Sequence, residues 1–262
     1  MTETNEQQAP VFSGAAITLN KLESGIFHLC FDAKGAAVNK FDQATLTEFG
    51  QVLDVLAESK VRGLICSSAK SSFIVGADIA EFTGLFARPE AELLAWVQET
   101  NELFTELETL EFPTVSVIQG HALGGGLEFC LATDYRIASA DVVLGFPEVG
   151  LGICPGFGGT VRAPRVMERE AAIQWLISGQ QYDVNQALVV GAIDTITDAD
   201  FLIDAAIEQI EMALAEPESL AELRAQKSAP VCVEPVECAE LLEPIVAELL
   251  KAKDFHNPAP AR

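Results

Sequence analysis

Two glutamates and three glycine-rich turns hold the residue types that could do chemistry in this chain. The run Gly120-His121-Ala122-Leu123-Gly124-Gly125-Gly126-Leu127-Glu128 follows a β-type stretch, Thr114 to Ile118. It opens the segment Leu127 to Ala132, which reads as the first turns of a buried helix. Strand, tight turn and helix N-terminus in that order bring backbone within contact distance of a ligand, with the free N–H groups of the new helix aimed at negative charge. A second turn, Gly76-Ala77-Asp78, ends the β-type run that starts at Phe73. Two converging N–H donors, one from each turn, would form an oxyanion hole that stabilises charge developing on a carbonyl oxygen. Ordinary tight turns would leave the same pattern.

Glu128 lies just inside the first turn, and Glu148 follows Pro147 after a short strand. Two carboxyl groups in different surroundings can divide general acid and base work, or together hold and polarise a water. A separation of 20 residues says nothing about distance, and each glutamate taken singly reads as solvated or ion-paired. The third turn, Pro155-Gly156-Phe157-Gly158-Gly159-Thr160, has Arg162 and Arg165 behind it. A phosphate loop is conceivable there, but Gly120 to Gly126 matches neither the dinucleotide nor the P-loop spacing. His28, His121 and His256 are scattered, which suggests neither a metal site nor a triad; His121 reads as structural.

The elements that must position these residues follow a βα order. Ala15–Leu22 and Gly25–Phe31 suggest an opening hairpin, and Asp42 is a plausible N-cap for a helix to Glu58 with Leu46, Phe49, Val52, Leu53 and Leu56 on one face. Gly63–Ser67, Phe73–Asp78, Thr114–Ile118, Tyr135–Ala138 and Val142–Gly145 read as strands, with a long acidic helix from Pro89 to Leu110 between the second and third. From Glu168 onward the spacing is helical: Ala171–Ser178, Val184–Val190, Phe201–Ala215, Leu220–Gln226 and Cys238–Leu250, with a short strand at Ala192–Ile196. The expected organisation is a polar extension over 1–14, a core over 15–195, a helical region over 196–256 and a tail or linker start over 257–262.

Of the 262 residues 49% are hydrophobic and 21% charged, an ordinary balance for a globular core. A formal charge of -23 argues against binding nucleic acid or an anionic membrane through bulk electrostatics. An anionic ligand would need local cations or backbone dipoles. Six cysteines lie far apart, mostly in apolar runs, which predicts reduced core thiols in a cytoplasmic protein. No stretch reads as a signal peptide or a bilayer span, so membrane insertion is not expected.

The ordered set Phe73-Ile74-Val75-Gly76-Ala77-Asp78-Ile79, Gly120 to Glu128, Asp134-Tyr135-Arg136-Ile137-Ala138, Phe146 to Gly152 and Pro155 to Arg162 resembles the crotonase, or enoyl-CoA hydratase/isomerase, family. In the Val75–Asp78 and Ile153–Arg162 pieces it is similar to the N-terminal hydratase/isomerase part of the multifunctional fatty-acid oxidation α subunit. That family continues into a dinucleotide-binding dehydrogenase domain, so the chain is expected to be a stand-alone enzyme or an excised piece.

The resemblance implies an α/β fold, a right-handed ββα spiral closed by a helical C-terminal region. It implies homotrimers or hexamers, or a thiolase partner within a fatty-acid oxidation complex. It also implies an acyl-CoA substrate and no metal or redox cofactor. By the same resemblance the Ala77 and Gly125 N–H groups hold the thioester oxygen, and Glu128 and Glu148 match the glutamate pair of true hydratases. The Gly156 N–H aligns the water, and Asp78, Ile79 and Gly124 contact substrate. The implied reaction is hydration of a trans-2-enoyl-CoA to the 3-hydroxyacyl-CoA, with Δ3-to-Δ2 isomerisation as a second activity the same pair could perform. Rival readings are thioester hydrolysis, decarboxylation, or a catalytically silent CoA-binding scaffold. Two departures, Cys154 in place of a bulkier residue and Ala80 where many hydratases carry lysine, bear on acyl-chain preference and grip on CoA. A methyl group added at Gly125 is expected to meet the ligand.

Overall fold

The computed structural model describes residues 9–230, 242–244 and 247. The expected helix at Cys238–Leu250 lies largely outside the described residues. The chain opens with β1 (Phe12–Ser13), β2 (Ile17–Lys21) and β3 (Ile26–Phe31), an antiparallel set that contains the expected hairpin. Helix α1 (Gln43–Ala57) starts at Asp42, whose carboxylate accepts the Thr45 N–H, and buries the five predicted apolar residues. Strand β4 (Gly63–Ser68) pairs parallel to β3.

The next stretch departs from expectation. Phe73–Asp78 forms no strand but runs irregularly, with single bridges from Ile74 to Ala122 and from Ala77 to Phe41. Its backbone bonds go in turn to Gln119, Asn39 and Phe41, and Gly76 has φ +112°, so no ladder can propagate along one neighbour. Helix α2 (Ile79–Phe86), which sequence periodicity did not suggest, follows at once and leads to α3 (Glu90–Glu108).

Strand β5 (Thr114–Ile118) does not run straight into the glycine turn. Gly120, at φ +59°, redirects the chain into a further strand, β6 (His121–Leu123), and only then does α4 (Gly125–Ala132) begin. A Cβ at Gly120 would lie 2.1 Å from the Ser71 carbonyl oxygen, so this redirection requires glycine. Strands β7 (Tyr135–Ser139) and β8 (Val143–Gly145) precede a 3-10 turn at Pro147–Leu151; α5 (Gly159–Val166), α6 (Arg169–Ser178), β9 (Gln181–Asp183), α7 (Val184–Val189) and β10 (Thr195–Thr197) follow. Helices α8 (Leu202–Ala215) and α9 (Pro217–Ser228) end the continuous description.

The strands form a seven-stranded sheet, β1-β2-β3-β4-β5-β7-β10, parallel from β3 onward, and a three-stranded sheet, β6-β8-β9. Helix α8 covers one face of the large sheet with Leu202, Ala206 and Ile210 against Ile26, Ile65, Val115, Val117 and Ile137. The main core lies on the other side and centres on α4, all eight of whose residues are buried.

Phe129 fixes how α4 is turned about its axis. Its ring meets those of Phe31, Phe41, Phe49, Phe73 and Phe104 at centroid distances of 5.4 to 6.0 Å. Pairs of this kind contribute about 0.5 to 1.5 kcal/mol each beyond their buried area. With successive residues roughly 100° apart on a helix, anchoring Phe129 in that cluster turns Glu128 to a different side. The far end of α4 is held by cations: Lys227 Nζ and Arg136 Nη1 donate to the Thr133 carbonyl at 2.7 and 3.0 Å, where the helix dipole favours positive charge.

Burial pushes the Lys227 ammonium down to about 8, with Arg136 adding to the shift. The cost of charging it in the fold is fully present below about pH 8 and fades as pH rises toward the ordinary lysine value of 10.5. Lys227→Met leaves Arg136 on the Thr133 carbonyl. It is expected to raise stability by about 1 to 2 kcal/mol at neutral pH, with the gain shrinking as the buffer is taken toward pH 10. Urea midpoints at the two pH values check this; a loss of stability at neutral pH would show that the ammonium is a net asset.

Candidate active site

Parallel pairing of β6 with β8 is what brings the two glutamates together. The register Leu123↔Gly145 ends both strands level, and the Gly124 N–H donates to the Gly145 carbonyl at 2.9 Å. Beyond β6 the chain enters α4, whose first turn carries Glu128. Beyond β8 it enters the 3-10 turn, with Pro147 in its first positions and Glu148 in its first turn. The 20-residue separation is thus two strand ends and one crossover.

A cavity of about 310 Å³ opens at these strand ends. Its wall is mostly apolar, with Val75, Ile79, Phe82, Phe86, Leu93, Leu94, Trp96, Val97 and Phe157 among its residues, and Glu128 and Glu148 as its carboxyl groups. Both are buried, at 1% and 9% exposure, contrary to the reading of each glutamate as a surface residue. Glu128 Oε1 accepts N–H bonds from Phe157 at 2.8 Å and Gly159 at 2.7 Å, the latter at the N-terminus of α5. Glu148 Oε2 is buried with no hydrogen-bond partner.

Burial raises Glu128 to about 8, with the charge of Glu148 adding to the rise and the two N–H bonds and Arg162 opposing it. Burial raises Glu148 to about 7. Both carboxyls are thus held well above the ordinary carboxylate range. The two fixed N–H bonds favour negative charge on Glu128.

Glycines set the spacing. Gly124 has φ +51°, and a Cβ there would lie 2.7 Å from Glu148 Oε1; a Cβ at Gly159 would lie 2.9 Å from Glu128 Cγ. A Cβ at Gly125 would meet the Phe157 ring at 2.9 Å, so a methyl group there also presses on a protein neighbour. The donors are also set by neighbours. Gly76 C=O and Asp78 N–H both bond Phe41, so the Ala77 N–H between them points to the opposite side. The Gly125 N–H belongs to the first turn of α4, where amides have no partner within the helix.

Of the eight residues singled out in the sequence, Ala77, Ile79, Gly124, Gly125, Glu128, Glu148 and Gly156 line this cavity. Asp78 does not. It caps α2 through the Ala80 N–H, and its carboxylate pairs with Lys40, which the sequence did not single out. Cys66 and Cys130 are core residues, but Cys154 is exposed and on the cavity wall, unlike the core thiol expected. The N–H donors of Phe157 and Gly159 were also missed; the only sequence signal was the glycine-rich turn in which they sit.

Residues 21–243 match the Enoyl-CoA hydratase/isomerase family, and the chain belongs to it. Over 205 residues, 78% of this chain, it is 50% identical to the fatty acid oxidation complex subunit alpha of Pseudomonas syringae, and likewise 50% identical to that of Pseudomonas putida F1. The chain spans less than a third of the length of these relatives: 28% and 29%. Among solved structures, an enoyl-CoA hydratase from Bacillus anthracis superposes with TM-score 0.69 at 25% identity, covering 91% of this chain and 92% of the other. One from Shewanella pealeana gives 0.73 at 23% identity, covering 91% and 89%, a likeness of fold. The crotonase-type α/β fold with its C-terminal helices is thereby established.

Two glycines of this wall should respond very unequally to a methyl group. Gly124→Ala, which combines a left-handed backbone with a clash against Glu148, is expected to cost about 2 kcal/mol or more. Gly156, with nothing within 4 Å of an added Cβ, should accept alanine for about 0.5 kcal/mol or less. Urea unfolding of both variants checks this, and equal costs would mean that the Gly124–Glu148 contact is not a constraint.

Proposed function

We propose that this chain hydrates trans-2-enoyl-CoA thioesters to 3-hydroxyacyl-CoA in fatty-acid β-oxidation. The observation that carries the reading is the pair of buried carboxyls, Glu128 and Glu148, on the wall of one cavity with the two glycine turns that carry the Ala77 and Gly125 N–H groups. Family membership supports the acyl-CoA substrate. The relatives named as fatty acid oxidation complex subunits support the pathway and assembly with another subunit, for which a thiolase is the proposed partner and a homotrimer or hexamer the alternative; the proposed location is cytoplasmic. Nucleic acid is disfavoured by the charge of -23. Among the described residues no helix is long and apolar enough to cross a membrane.

The proposed roles follow the local geometry. Ala77 and Gly125 N–H groups receive the thioester oxygen, which drains electron density from the β-carbon and accommodates the enolate that forms. Donors of this type contribute about 3 to 4 kcal/mol where they have been removed. Glu128, steadied as a carboxylate by two N–H bonds, takes a proton from water as its oxygen bonds the β-carbon. Glu148 carries a proton on an oxygen with no other partner and delivers it to the α-carbon. The proton gained by Glu128 then replaces the one lost by Glu148. Gly156 serves to orient the water, while Ile79 and Gly124 shape the substrate's seat and Asp78 holds the turn that bears Ala77. This scheme calls on no metal or redox cofactor. Moving a proton between α- and γ-carbons with the same pair gives isomerisation as a second activity.

With crotonyl-CoA as substrate, Glu148→Gln should abolish loss of the enoyl-thioester absorbance while acyl-CoA binding and melting temperature stay near those of the parent, because an amide keeps the shape but cannot donate an acid proton. Wild-type rates in that variant would remove Glu148 from the mechanism. The singly protonated pair is the active form, so kcat/KM should follow a narrow bell. Activity falls below about pH 7, where both carboxyls are protonated, and above about pH 8, where both are ionised. A profile flat from pH 5 to pH 9 would contradict the shared proton.

A further inference from the structure

The Phe157 N–H that bonds Glu128 belongs to the Gly156–Phe157 peptide, and the other end of that peptide is held from outside the cavity. Asn101 Nδ2, on α3, donates to the Gly156 carbonyl at 2.7 Å. A peptide unit is planar, with its C=O and N–H pointing in opposite directions. Fixing the carbonyl therefore fixes the direction of the N–H, and the donated bond polarises the unit so that the N–H becomes a better donor. The same amide also bonds the Val97 carbonyl one turn earlier at 2.8 Å, which fixes its own rotamer, and Val97 is itself on the cavity wall. Phe157 is held at its other side as well: Arg162 Nη1 donates to its carbonyl at 3.0 Å, and Arg162 is in turn paired with Glu108 of α3 at 3.0 Å.

We propose that Asn101 is a positioning residue for Glu128, acting through the Gly156–Phe157 peptide whose N–H holds the Glu128 carboxylate. Helix α3 thereby does two jobs: its N-terminal half walls the cavity with Leu93, Leu94 and Val97, and its next turns aim the donor at the glutamate that lies across the loop. Without the Asn101 amide the peptide is free to rotate about its flanking bonds, next to a glycine with nothing within 4 Å of its Cβ position. Glu128 then loses the constancy of one of its two donors. The charged groups facing Glu128 are Glu148 from the 3-10 turn and Arg162 from α5, the latter shared with Glu108 of α3; Arg136 of β7 faces the other end of α4, beside Cys130. None of them is altered by a neutral substitution at position 101, so a change in Glu128 behaviour reports the peptide.

The consequence for turnover rests on the hydratase reading, whereas the effect on Glu128 does not, and the test separates the two. Asn101→Leu keeps the approximate size and removes the donor; Asn101→Ala, which adds no bulk, carries the same test should the leucine variant fail to fold. The Glu128 carboxyl is followed in the ligand-free protein by infrared difference spectra against Glu128→Gln across pH. With a hydrogen bond to the ionised form weakened, its titration moves to higher pH, and kcat on crotonyl-CoA falls about tenfold or more with little change in KM. In a Glu128→Gln background the same substitution has no further effect on the residual rate. An unmoved Glu128 titration in a folded Asn101 variant overturns the proposal whatever the rate does. A moved titration with unchanged kcat leaves the positioning role standing and counts instead against Glu128 as the base of the reaction.

Discussion

Holding two carboxyl groups side by side, out of water, is the constraint on which the rest of this structure depends. Each is raised well above its ordinary titration range by burial, and one oxygen of Glu148 has no partner at all. Such an arrangement opposes folding, so it persists only because the surroundings leave these side chains nowhere else to go. The glycines are part of that enclosure. At Gly124 and Gly159 the space a Cβ would need is taken by the carboxyl side chains themselves, and at Gly126 it is taken by the Ile74 carbonyl oxygen, 2.1 Å away.

Rigidity for the pair comes from three directions. The aromatic cluster around Phe129 fixes the rotation of α4, Lys227 and Arg136 hold its C-terminal carbonyl, and α5 presents an N-terminal amide to Glu128. The small sheet supplies Glu148, because β8 ends level with β6 and the 3-10 turn starts at once. Site residues placed on helix starts and strand ends are held more firmly than they would be on free loops. The apolar wall keeps the local dielectric low, which strengthens every dipole aimed at a developing charge.

Much of this was readable in the chain. Local signals named the opening hairpin, α1 with its Asp42 cap, the parallel strands and the helices from α6 to α9, since each rests on spacing or capping within a few residues. The two glutamates and both glycine turns were visible as types and spacings. Their proximity was not, because it arises from the register of β6 on β8, two strands of three residues each, too short to leave a periodic pattern. The irregular path of Phe73–Asp78 was misread as a strand for a similar reason: its residues are mostly apolar, but its backbone bonds pass from Gln119 and Leu123 to Asn39 and then Phe41, so no single neighbour pairs along it. Asn101 and the Phe157 N–H escaped notice because a polar residue on an acidic helix and an amide in a loop carry no chemical signature until the tertiary fold brings them against Glu128. The family resemblance contributed what spacing alone could not, a reason to prefer one paired site over two ordinary tight turns.

Where the oxygen of water ends up is the most direct test of whether this chain hydrates its substrate. Purified protein is mixed with crotonyl-CoA in heavy-oxygen water, and the products are analysed by mass spectrometry alongside the loss of enoyl-thioester absorbance. Addition of water across the double bond predicts one heavy oxygen in the hydroxyl of an intact 3-hydroxyacyl-CoA, with no free CoA thiol released. Label in a free carboxylate with release of CoA would make the chain a thioester hydrolase, and no turnover at high protein concentration would contradict its being a hydratase at all.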